Sequence, residues 1–238
     1  MDFDLLERSE ALNLALLRDQ QIEIAKKAVF EGSLEHVRRF VAVDMSANSF
    51  LQGDDAPLFA AAVLLERSNK TPLEVATATM KPEIPYRTGF LAFREAPVIL
   101  AALEKLKGSY DLIWCDGNGL MHPRRAGIAT QLGVQLEKPS LGVAKQPLTG
   151  KYKDVALKAG AKESVVSSSG ETLGFALRSR RNTKLIYVSP GHLCDIDNAL
   201  EFVLEHLDGL RIPYPTRLAH DASNAARKES QGGSKLMV

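Results

Sequence analysis

Leu112-Ile113-Trp114-Cys115-Asp116-Gly117-Asn118-Gly119-Leu120-Met121-His122-Pro123-Arg124-Arg125 is the stretch on which the reading of this chain turns. Its first four residues are an apolar run that predicts a buried strand. The strand ends in a carboxylate and opens into a glycine loop carrying one imidazole and two guanidinium groups. A sheet fixes a carboxylate at a strand's end, and glycines let a loop backbone come close to a flat or charged ligand. The position therefore suits a metal ligand. A strand closed by a tight Asp-Gly turn with solvated charges explains the segment equally well. Only a constellation of groups separates the two readings.

A second such end is Phe40-Val41-Ala42-Val43-Asp44. A third acid, Glu95, precedes a segment in which Ile99, Ala102, Leu103 and Leu106 share one helical face. Each acid has an ordinary reading as a cap or surface charge, and Glu95 suits a helix's first turn on dipole grounds alone.

The order of elements decides whether the acids can meet. An amphipathic helix over Leu12 to Phe30 is followed by strands over Phe40 to Ser46, Leu58 to Glu66 and Glu74 to Met80. Short polar connections, Asn48 to Pro57 and Arg67 to Leu73, favour an antiparallel meander. A helix over Glu95 to Leu106, the strand Leu112 to Asp116, a helix over Arg125 to Gln135 and the strand Ser140 to Ala144 come next. Strands Glu171 to Arg178 and Lys184 to Val188 and helices Asp195 to Leu207 and Pro215 to Arg227 complete the chain. Lys153 to Gly170 reads as an insertion. Three strands, helix, strand, helix, strand is the order of the ribonuclease H-like fold, an α/β class with a mixed sheet flanked by helices. In that fold the first and fourth strands are neighbours, which would set Asp44 beside Asp116 with Glu95 leaning over them. Three anions so close need a cation to stay ionised together, and an all-oxygen set points to magnesium or manganese.

No Pro/Gly/Ser-rich linker divides the 238 residues, so a single domain over 1–227 with a fraying tail over 228–238 is expected. Hydrophobic residues make up 45% of the chain, and no apolar run approaches the roughly 20 residues of a membrane span. The start of the chain has neither an apolar signal core nor an Arg-rich leader. With only Cys115 and Cys194, it reads as a soluble cytoplasmic protein, with Cys115 a buried thiol. A net charge of +1 says little about nucleic acid. Local clusters at Arg124-Arg125, Lys151 with Lys153, and Arg178 to Lys184 suit phosphates or simply solvent. Gly117-Asn118-Gly119 lacks the third glycine of a dinucleotide fingerprint, and Lys145 stands where a phosphate-binding loop needs its first glycine. The histidines show no zinc-hydrolase spacing.

Five segments, Pro85-Tyr86-Arg87-Thr88-Gly89-Phe90-Leu91-Ala92-Phe93-Arg94-Glu95, Asp116-Gly117-Asn118-Gly119 with His122, Gly142-Val143-Ala144-Lys145, Gly191-His192 and Arg211-Ile212-Pro213-Tyr214-Pro215-Thr216-Arg217, resemble endonuclease V in that family's order. The resemblance runs from about Leu17 to Asp221. It implies magnesium-dependent cleavage, with manganese as a substitute, of the second phosphodiester 3′ to inosine in nucleic acid, leaving a 3′-hydroxyl and a 5′-phosphate. It also implies a DNA-repair role for a protein acting as a monomer. Asp44, Glu95 and Asp116 match the family's metal-binding acids, Lys145 an active-site lysine, and His122 the glycine-loop histidine, for which bracing of the loop is the alternative. Tyr86 matches the wedge that fills the space left by an extruded base, a task suited to a rigid stacking ring. Substrate contacts are expected from Pro85, Tyr86, Arg87, Thr88 and Gly89 and from Gly117, Gly119, Leu120 and Gly142. Backbone at Gly89, Gly117, Gly119 and Gly142 is the candidate wall for reading hypoxanthine.

Arg87-Thr88 and Asn118 depart from the bacterial pattern and resemble eukaryotic and some archaeal members, so inosine in RNA is the alternative substrate. His220 stands where many relatives carry an aspartate and others a histidine, with Asp221 beside it as a competitor. Two readings outside the family remain: another nuclease of the same fold, against which the Pro85 to Gly89 segment argues, and a non-catalytic nucleic-acid-binding module, against which the complete acid set and Lys145 argue.

Overall fold

The structure, a computed structural model, describes residues 3–47 and 56–232. Its elements are α1 (Phe3–Lys27), β1 (Arg39–Ala47), β2 (Leu58–Glu66), β3 (Glu74–Met80), α2 (Leu91–Leu103), β4 (Leu112–Asp116), α3 (Ile128–Leu136), β5 (Ser140–Ala144), β6 (Lys162–Val166), β7 (Thr172–Leu177), β8 (Ile186–His192), α4 (Ile196–Glu205) and α5 (Tyr214–Gly232). Most of the expected connection Asn48 to Pro57, and the end of the expected tail, lie outside the described residues.

One mixed sheet of eight strands runs in the order β3-β2-β1-β4-β5-β8-β7-β6. The antiparallel meander is present, and β4 joins β1 in parallel with Val43 opposite Cys115. The β3-β2-β1-β4-β5 half is the ribonuclease H-like arrangement expected from the sequence. Phe40 to Val43 of β1 and Leu112 to Cys115 of β4 are apolar without alternation because both faces are covered. Phe40, Ala42, Leu112 and Trp114 pack against Phe202, Val203, Tyr214 and Ala219 of the α4/α5 layer. Val41, Val43, Ile113 and Cys115 face Ala96, Ile99, Ala129 and Leu132 of the α2/α3 layer. Cys115 and Cys194 are free and buried. Among the described residues no helix is long and apolar enough to cross a membrane.

Several boundaries differ from expectation, for local reasons. Helix α2 begins at Leu91, so its first turn holds no acid and the dipole argument for Glu95 falls away. Arg125, expected to open α3, is left-handed at φ 57°, and the helix starts only after an extended Gly127. Asp195 lies outside α4 and caps it, accepting from the Asn198 amide at 2.7 Å. The expected insertion contains an edge strand, β6, paired with β7. Strand β8 continues past the expected end at Val188 through Pro190 and Gly191, with Pro190 paired to Leu141 beside a bulge. Helices α1 and α5 each extend beyond their expected limits at Leu12 and Arg227.

Candidate active site

The parallel register sets Asp44 and Asp116 side by side, one residue past the Val43–Cys115 pair. Side chains on a strand alternate, so Asp44 follows Phe40 and Ala42, and Asp116 follows Leu112 and Trp114, onto the α5 face. Helix α5 is fixed there by matched polar rungs. Trp114 Nε1 donates to Thr216 Oγ1 at 2.8 Å inside the core. Four residues on, and therefore on the same helical face, His220 Nδ1 meets Asp44 Oδ2 at 2.8 Å. One further turn along, Ser46 Oγ donates to Asn224 Oδ1 at 3.0 Å. Asn224 Oδ1 also accepts from Arg227, so its amide nitrogen is the group 3.1 Å from His220 Nε2. That makes Nε2 the acceptor and puts a proton on Nδ1, which donates to Asp44. Asp221, the competing residue, is exposed and lies off this face.

Ligand atoms of Asp44, Asp116 and His220 all lie within 4.8 Å of one another, a candidate metal-binding group. Asp44 is 9% exposed, and burial first, then the Asp116 charge, pushes its carboxyl up to about 6 against the lowering pull of His220. Glu95 lines the same cavity from α2 and is pushed up to about 8, by burial first and then by Asp44 and Asp116. The Cys115 thiol between these acids is raised by burial. Lys145 Nζ reaches Asp116 Oδ2 at 2.7 Å from the end of β5. Buried acids whose neighbours hold protons on Asp44 and Glu95 are a cluster that a divalent cation would relieve, and their carboxylate oxygens fit such an ion.

Beside the acids lies a cavity of about 280 Å³, lined by Tyr86, Thr88, Gly89, Gly117, His122 and Leu148 among others. It has room for a purine base, and Asp44, Glu95 and Asp116 form part of its lining. Gly89 is left-handed at φ +80°, and its carbonyl accepts from Gln21 Nε2 at 2.9 Å, His122 Nε2 at 3.1 Å and Arg124 Nη2 at 2.6 Å. His122 Nδ1 accepts from the Arg124 amide at 3.2 Å, which leaves the proton on Nε2. Burial first, then the Arg124 charge, lowers His122 to about 4, so it is neutral. This geometry is the bracing alternative for His122.

The expected substrate contacts divide into cavity wall and support. Tyr86, Thr88, Gly89 and Gly117 line the cavity. Pro85 and Arg87 belong to the same segment without lining it. Gly119, Leu120 and Gly142 lie underneath. A Cβ on Gly142 would fall 2.4 Å from the Gly117 carbonyl, one on Gly119 2.1 Å from the Pro190 carbonyl, and Leu120 is a core side chain, 1% exposed. These glycines let the loop lie flat on β5 and β8. Gly89 is a wall residue, but its carbonyl is already engaged by three donors. Sequence reasoning missed Gln21, Arg94 and Asn224. A polar residue at an inward helical position carries no local mark that separates it from a surface one.

A family model described as Endonuclease V matches residues 22–221. The endonuclease V of Thermus thermophilus is 42% identical over 211 residues, covering 87% of this chain and 91% of the relative. The crystal structure of endonuclease V from Streptomyces avermitilis superposes with TM-score 0.83 at 35% identity, over 91% of this chain and 94% of the other. Ciona intestinalis endonuclease V, solved with a 23mer DNA containing an inosine followed by a ribo-adenosine, gives TM-score 0.78 at 25% identity over 91% and 98% of the two chains. With the acids and the adjoining cavity in place, these likenesses settle the family: the chain belongs to endonuclease V, a family of nucleases that hydrolyse phosphodiester bonds.

Proposed function

We propose that the protein captures the hypoxanthine base of inosine and hydrolyses the second phosphodiester on its 3′ side, with magnesium or manganese held by Asp44, Asp116 and Glu95. The observation that carries this reading is a cavity with room for a base whose lining includes the acid cluster, with Tyr86, 40% exposed, at its wall. Hypoxanthine presents a 6-oxo acceptor and an N1 donor where adenine presents the reverse, so a tight polar wall separates the two. Tyr86 fills the gap left in a duplex, and extrusion of the base costs a few kcal/mol, less at a mismatch.

A bound divalent ion supplies positive charge at the phosphate and makes water a stronger nucleophile. Lys145 adds its ammonium where negative charge develops. His220 donates to Asp44 and holds the carboxylate's direction, while Asn224 holds the imidazole. The protein acts as a monomer in the cytoplasm in this reading, and the two buried free thiols are in keeping with that compartment. DNA is the favoured substrate. RNA is the second reading, favoured by Arg87-Thr88 and Asn118.

Binding in calcium of oligomers that differ only by inosine for adenine tests base capture, and equal affinities would sink it. Tyr86→Ala is expected to slow cutting of inosine in duplex at least about tenfold more than in single strands, because only a duplex needs the space filled. Equal losses on both substrates would remove Tyr86 from that role.

Metal binding carries a pH signature. The folded carboxyls of Asp44 and Glu95 lie at about 6 and about 8, above the roughly 4 of an unfolded chain. In metal-free protein these groups therefore favour folding at low pH, and their contribution is lost as pH rises from about 4 to about 8. A cation that displaces the protons offsets that loss. The rise in melting temperature on adding magnesium is expected to be larger at pH 8 than at pH 5.5, and a pH-independent rise would contradict the assignment.

A further inference from the structure

The segment that carries Tyr86 is secured through carbonyl groups at its two ends. Arg94 Nη1 donates to the Ile84 carbonyl at 2.7 Å, and Gly89 closes the segment with a carbonyl that accepts three hydrogen bonds. One of the donors at Gly89 comes from far away in sequence: Gln21, in α1, is fully buried. Its amide is used at both ends, Nε2 on the Gly89 carbonyl and Oε1 accepting from Arg124 Nε. The Arg124 guanidinium also lies over the Phe90 ring, 4.5 Å from its centroid. Gln21 thus supplies one donor to Gly89 directly and orients a second. A buried amide needs its partners, and simple packing would be met by an apolar side chain of the same size. Gly89 is left-handed and has no side chain of its own, so outside donors set the direction of its peptide.

We propose that Gln21 is a positioning residue for base capture: from the N-terminal helix it fixes the Gly89–Phe90 peptide, and with it the cavity wall and the placement of Tyr86. The inference rests on the reading that this cavity takes hypoxanthine. It assigns α1 a part in substrate selection.

Two variants separate the donor from the packing. Gln21→Glu keeps an acceptor for Arg124 but turns a carboxylate oxygen toward the Gly89 carbonyl, while Gln21→Met keeps the volume and loses both bonds. Both are expected to weaken calcium-supported binding of an inosine oligomer about tenfold while leaving the adenine oligomer unchanged, with half-saturation in single-turnover cleavage shifted alike and the saturated rate within about twofold. Amide hydrogen exchange is expected to accelerate across residues 84–91 and to stay unchanged in β1 and β4. Unchanged exchange across residues 84–91 in both variants overturns the proposal, whatever the substrate. So does loss of protection throughout the molecule, or a fall in saturated rate with inosine selectivity retained. Accelerated exchange confined to 84–91, in a protein whose parent form shows no preference for inosine, would sink the functional reading and uphold the role of Gln21.

Discussion

Asp116→Ala and Asp44→Ala are each expected to lower magnesium-dependent cleavage by about a thousandfold or more, the equivalent of roughly 4 kcal/mol of transition-state stabilisation. The two carboxylates sit side by side on adjacent parallel strands, each held in place by the sheet. The strands beneath them are packed on both faces, so the variants are expected to fold and to bind an inosine strand in calcium. His220→Ala is expected to give a smaller loss, because its imidazole acts on Asp44 through a single hydrogen bond. Asp221→Ala is expected to be neutral, since adjacent residues on a helix point about 100° apart. Gel-resolved single-turnover rates across a metal titration check the series. Near-parental turnover in either aspartate variant would remove the acid cluster from the chemistry, and an Asp221 effect larger than that of His220 would reverse their assignment.

Lys145→Ala is expected to reduce the saturated rate about a hundredfold, in line with removal of one donor from a developing anion, with inosine binding little changed. Its ammonium is half-exposed on one side and bonded to Asp116 on the other, so it is held at the acid cluster while open to an incoming phosphate. Lys145→Arg is expected to recover only part of the rate, because the planar guanidinium spreads its charge over a wider fork. A Lys145→Ala enzyme that cuts at the parental rate, or one that loses binding and rate together, would place the lysine outside the transition state.

The central part of the fold was legible because its strands are buried on both sides and their apolar runs stop at acids. Phe40 to Asp44 and Leu112 to Asp116 leave no other reading once they are neighbours, and the order of elements makes them neighbours. Strand β6 was hidden because an edge strand with a half-exposed pattern looks like a loop. The beginnings of α2 and α3 were hidden because neither has a side-chain cap for the sequence to display. His220 over Asp221 follows from the Trp114–Thr216 bond, which sets the rotation of α5, and that pairing crosses 102 residues of chain. Gln21 has the same difficulty: its meaning lies in Gly89, 68 residues away. Gly119, Leu120 and Gly142 belong to the right motifs but serve the loop from below, a distinction between wall and support that only the packing reveals.

The central claim is that the acid cluster cuts next to a base held in the adjoining cavity. Its most direct test is cleavage of matched single- and double-stranded DNA and RNA oligomers bearing one inosine, incubated with magnesium and resolved at single-nucleotide resolution. One break per molecule is expected, at the second phosphodiester 3′ to inosine, with a 3′-hydroxyl and a 5′-phosphate at the new ends and no break in the adenine control. Breaks scattered without regard to inosine, or none in any of the four substrates, would contradict it.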